Sequence, residues 1–143
     1  MKFKFLILSF AMLFSVNVFS QLVPKNTNLN VGDSVTLSSC PAKGFRYIDY
    51  YLKTGFPYAS DTSGYKQHVG DEFYDFFFTN GDFDAKILPC RFAGKTCRII
   101  GLKIMEDKKT KEDIRVIFLE LGKNMVAWVN LDLAAQSGEI YLQ

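Results

Sequence analysis

One histidine, three cysteines and no surplus of charge narrow what this 143-residue chain can do. As a general base, His68 needs a nucleophile and an orienting partner, and no G-x-S-x-G elbow occurs to supply the nucleophile. It is expected as an exposed loop histidine. Cys40, Cys90 and Cys97 lack the C-x-x-C spacing of a redox pair. A Cys3His zinc site would consume every thiol, so no metal or cofactor is expected. The Asp-rich twelve-residue loop of a calcium hand is also missing. The 17 basic residues outnumber the 15 acidic ones by two, and Lys2 and Lys4 account for the excess. From residue 21 onward charge is balanced, which removes the electrostatic footprint of a nucleic-acid binder. No apolar run after residue 20 is long enough to span a bilayer.

What is present begins with an export pattern. Lys2 and Lys4 give a basic start, and Phe5 to Phe14 form a short apolar core. Val18-Phe19-Ser20 suits cleavage before Gln21. The protein is therefore expected to be periplasmic or secreted after removal of residues 1–20, with no membrane span left. An oxidising compartment makes one disulfide the expectation. Cys90 and Cys97 bracket RFAGKT, and a two-residue turn at Ala93-Gly94 would set them opposite each other across a hairpin. Cys90–Cys97 is the predicted bridge, with Cys40 to either partner as the alternative.

Residues 21–143 read as a single small β-rich domain, mainly antiparallel, with a possible division into a subdomain 21–70 and a barrel 71–143. Residues 21–32 form a loose lead-in, and Ser34 to Ser38 alternates polar and apolar side chains as a half-buried strand does. Phe45 to Leu52 fits a helical face through Phe45, Ile48 and Leu52, but its tyrosines favour a strand. Thr54 to Gly70 is rich in turn-forming residues and reads as a long surface loop. EFYDFFFT and DFDAKIL flank Asn80-Gly81, the dipeptide best suited to a tight hairpin turn. In that register Phe78 faces Phe83, Phe76 faces Ala85, Tyr74 faces Ile87, and Asp75 lies opposite Lys86. Thr96 to Met105, Ile114 to Leu121 and Met125 to Leu131 are further strands, separated by a charged connector and a tight turn at 122–124. Asp132 to Gln136 suits one helical turn capped by Gly138, and Glu139 to Leu142 a closing strand.

The order from about residue 84 onward is strand, strand, polar loop, tight-turn hairpin, helical turn and terminal strand. It resembles the small five-stranded barrel of the Src-homology-3-like type. That resemblance implies a fold only, since the superfold hosts many unrelated activities. A plain antiparallel meander packed on the first half is the alternative.

Aromatic residues make up 15% of the chain, more than a core of this size requires. Tyr47, Tyr50, Tyr51, Phe56, Tyr58 and Tyr65 cluster in an otherwise loop-like segment. Tyrosine buries apolar area while keeping a polar tip wet, which suits a recognition surface. The expected function is thus an exported binding or interaction module without a catalytic site, its partner an envelope protein. The alternatives are a carbohydrate-binding accessory protein that stacks sugars on the same rings, or a small hydrolase. The hydrolase would need Asp71, Glu72, Asp75, Asp84 or His68 gathered in one cleft.

Overall fold

Alternation drives the first elements. In β1 (Ser34–Leu37), Val35 and Leu37 are buried while Ser34 and Thr36 are not. The second strand, β2 (Ile48–Lys53), confirms the strand reading of this ambiguous stretch. The computed structural model describes residues 27–53, 70–79, 83–122 and 125–143. The loop expected at 54–70 lies outside them apart from Gly70, as do the Asn80-Gly81 turn, residues 123–124 and the leader.

The segment expected to form the first arm of a hairpin is instead a helix, α1 (Phe73–Thr79). Aromatics raise strand propensity, but Phe73/Phe77 and Tyr74/Phe78 also repeat at four-residue spacing, and packing decides between the two periods. β3 (Phe83–Ile87) consequently pairs with β2: Tyr51 is the partner of Ala85, and Tyr50 of Lys86. Asp75 does not face Lys86 and makes its ion pair with Lys103 at 3.7 Å.

A 3-10 turn (Cys90–Phe92) leads into β4 (Thr96–Glu106). β5 (Asp113–Gly122), β6 (Met125–Asn130), α2 (Leu131–Gln136) and β7 (Ile140–Leu142) complete the chain. Strand order is β3-β2-β6-β5-β4-β1-β7, and every strand pairing is antiparallel. The sheet is open at β3 and β7 rather than closed into a barrel; β4, β5 and β6 follow one another as a meander, and crossovers add β2 and β3 beyond β6 and β1 and β7 beyond β4. Strand β4 is shared. Thr96 to Arg98 pair with β1, and from Ile99 on the strand pairs with β5, with a register shift between Ile99 and Gly101.

Two cores result, one on each face of the sheet. On the first face, Val35, Leu37 and Ile140 meet Ile48, Ile117, Leu119 and Val129, with Leu131, Ala134 and Ala135 of α2 beside them. The Asn130 side chain accepts from Leu133 N–H to start α2, and Gly138 ends it at φ +77°, a backbone region where glycine carries no Cβ penalty. Glu139 follows and is 1% exposed. Its carboxylate accepts from the backbone amides of Arg46 at 2.6 Å and Tyr47 at 3.0 Å, clamping the chain that enters β2.

The disulfide is Cys40–Cys90, not Cys90–Cys97. The hairpin that would have joined the latter pair does not form, because the intervening backbone is used elsewhere. Gly94 N–H donates to Leu37 O, and Leu37 N–H donates to Lys95 O. Cys97 enters β4 opposite Val35 and turns inward as a free, buried thiol. Burial pushes that thiol up from its ordinary pKa, Lys95 pulls it down and Glu120 adds to the rise.

Candidate functional site

The second face carries the densest aromatic packing among the described residues. Gly101 sets it up. A Cβ there would lie 2.9 Å from the Phe73 ring and 3.1 Å from the Phe118 ring, so only glycine lets α1 lie this close to β4. Gly70 N–H donates to Ile100 O and Phe73 N–H to Gly70 O, which ties the start of α1 to the same strand. Phe73, Phe77 and Phe118 are fully buried under the helix.

From that anchor the rings extend across the sheet. Phe78 reaches Tyr51, Phe83 and Trp128 at centroid distances of 5.0, 5.8 and 5.3 Å. Tyr74 meets Phe78 at 5.1 Å and Trp128 at 6.0 Å. Tyr51, Tyr74, Phe78 and Trp128 are only half-buried, and Phe83 is 39% exposed. Ile87, Asp49 and Trp128 are register partners and continue the face past the helix.

Charge lies on both sides of these rings. The Lys103 ammonium sits 4.0 Å from the Tyr74 ring centroid, and that of the buried Lys53 is 5.0 Å from Phe77 and 5.1 Å from Phe83. Loss of water beside Trp128 and Ile87 raises the Asp49 carboxyl above the ordinary carboxylate range. Burial, then the charges of Asp49 and Tyr74, raises the Tyr51 phenol.

The structure divides the tyrosines picked out by the sequence. Tyr51 belongs to this aromatic face, whereas Tyr47 and Tyr50 pack against the other core. Phe56, Tyr58 and Tyr65 lie outside the described residues, as does His68. Of the carboxylates, Asp71 and Glu72 are exposed before α1 and Asp75 is on the helix. Asp84 points to the face opposite Phe83, so Asp75 and Asp84 do not share a face as the expected hairpin would have had them. No group of three or more His, Cys, Asp or Glu converges among the described residues.

Sequence reasoning misses Tyr74, Phe78, Phe83 and Trp128 as a surface because it places Tyr74 and Phe78 on a hairpin strand rather than on a helix lying across the sheet. The four-residue spacing of Tyr74 and Phe78 was the available signal. A concavity of about 230 Å³, lined by Thr27, Leu29, Leu102, Ile104, Arg115 and Leu131, opens elsewhere. Arg115 there donates from Nε to Asp132 at 3.2 Å and from Nη2 to the other carboxylate oxygen. Comparison of the chain with family models, with curated proteins and with solved structures returns no match.

Proposed function

We propose that this protein is an exported binding module whose contact surface is the aromatic face built by α1, β2, β3 and β6. One observation carries the reading: Tyr51, Tyr74, Phe78, Phe83 and Trp128 form a contiguous ring cluster that stays partly open to solvent. Rigid aromatic anchors of this kind, rimmed by charge, are what protein interfaces concentrate at their centre. Asp49, Lys103 and Asp75 supply the rim. The Cys40–Cys90 bridge suits the oxidising compartment to which residues 1–20 would direct the chain.

Ring geometry favours a protein partner over a sugar. A sugar ring stacks on an open aromatic plane, but the half-exposed rings here meet one another at 32° to 85° and engage each other's edges and faces. Phe73 and Phe77 do stack, at 22°, yet both are fully buried. The test is affinity capture of the tagged protein from its own cell envelope, beside Tyr74→Ser and Trp128→Ser variants shown to fold by thermal melting. The reading expects one or two proteins at near-stoichiometric yield, lost with both substitutions. Recovery of the same set by the variants, or binding to a glycan array alone, overturns it.

A further inference from the structure

We infer that the protein pairs with a second copy of itself through the edge of β3 that takes no strand among the described residues, antiparallel and centred on Ala85. β3 is an edge strand, and all five of its residues are exposed. Leu88 N–H donates to Ile48 O at 3.0 Å. Backbone groups alternate sides along a strand, so Lys86 and Asp84 direct theirs to β2 while Phe83, Ala85 and Ile87 direct theirs outward. Outward N–H and C=O groups are what an added strand binds.

The side chains select both the occupant and the register. With Ala85 opposite its own copy, Asp84 faces Lys86 of the second molecule and Lys86 faces its Asp84. Phe83 then lies opposite Ile87 at each end. Moving the centre to Asp84 or to Lys86 sets like charges directly opposite, which is unfavourable. This pattern is complementary to itself under a twofold axis, as an isologous dimer requires. Side chains add a second match. Phe83, Ala85 and Ile87 share the aromatic face, and Phe83 and Ile87 are 39% and 63% exposed. Pairing therefore joins the apolar strips of two molecules into one. Five residues bury little area, so the association is weak, with dissociation in the micromolar range or above. The inference does not depend on the aromatic face having a partner.

Sedimentation equilibrium of the expressed full-length protein up to about 0.2 mM tests it, since weak contacts populate only near their dissociation constant. A monomer–dimer equilibrium is expected. Asp84→Lys alone and Lys86→Asp alone should each weaken it tenfold or more, while far-UV dichroism and thermal melting stay unchanged. The double variant D84K/K86D should dimerise again, and an equimolar mixture of the two single variants should form heterodimers. If a single variant melts early, the wild-type salt dependence serves instead, dimerisation weakening as salt screens the two charge pairs. A protein that remains monomeric throughout overturns the inference, with the charged edge then acting as a guard against pairing. A dimer indifferent to both reversals, to their mixture and to salt overturns it equally.

Discussion

Two aspartates show how position sets the chemistry of one residue type. Asp49 is exposed but partly shielded from water beside Trp128 and Ile87, which pushes its carboxyl above the ordinary range. Asp107 lies in the β4–β5 turn and accepts from the amides of Thr110 and Lys109, which holds its carboxyl below that range. The signs for stability are opposite. A raised folded-state pKa opposes folding once pH exceeds the unfolded value, so the Asp49 charge is a cost at neutral pH. The Asp107 contribution is favourable above the unfolded value and is lost as pH falls through its depressed one. Carboxyl carbon NMR titration should place Asp49 above Asp107, and the reverse order would refute both assignments. Asp49→Asn should raise the melting temperature at pH 7 and leave it unchanged near pH 3, where both side chains are neutral. Glu139 acts in the other direction, because its removal strands two backbone amides. Glu139→Ala should cost about 2 kcal/mol or more in denaturant unfolding, and a neutral result would show the clamp to be dispensable.

At the scale of elements, α1 makes the aromatic face and Gly101 admits α1. Gly101→Val should destabilise by about 1–3 kcal/mol, as overpacking of a tight contact does, and should shift Trp128 emission as the helix lifts. Gly122→Ala is the control, since a Cβ there meets nothing within 4 Å. Equal effects from the two changes would mean that α1 is not held at Gly101. Most other elements were legible in the sequence. Period-two alternation located β1, the charged connector and tight turn between apolar runs located β4, β5 and β6, and turn residues bounded α2 and β7. The helix α1 was not, because EFYDFFFT satisfies a strand by propensity and a helix by its four-residue repeats. That conflict is settled only by β2, whose edge takes β3 as its partner. Reading α1 as a strand also displaces the surface: the sequence points to Tyr51, but the ring cluster with Tyr74, Phe78, Phe83 and Trp128 exists only once α1 lies across the sheet. Glu139 gives no sequence signal, since its partners Arg46 and Tyr47 lie more than ninety residues away.

Across the whole molecule, the disulfide ties the segment after β1 to the segment after β3, spanning fifty residues of sequence that include α1. Chain-entropy arguments assign such a loop about 4 kcal/mol. Cys40→Ser should lose stability on that scale, and Cys97→Ala much less. Peptide mapping without reduction should recover a 40–90 crosslink and one thiol, Cys97, that alkylates only after unfolding. A 90–97 crosslink would contradict the fold as described. Function is harder to read at this scale, because the face proposed to carry it comes from α1 and three strands dispersed along the chain. The central claim is that this face binds a partner, and Trp128, the only tryptophan, lies within it. The most direct test is acrylamide quenching of Trp128 during titration with the partner recovered from the envelope. Binding through the aromatic face should shield Trp128 and shift its emission to shorter wavelength. Saturable binding that leaves its quenching and emission unchanged would place the contact elsewhere and contradict the account.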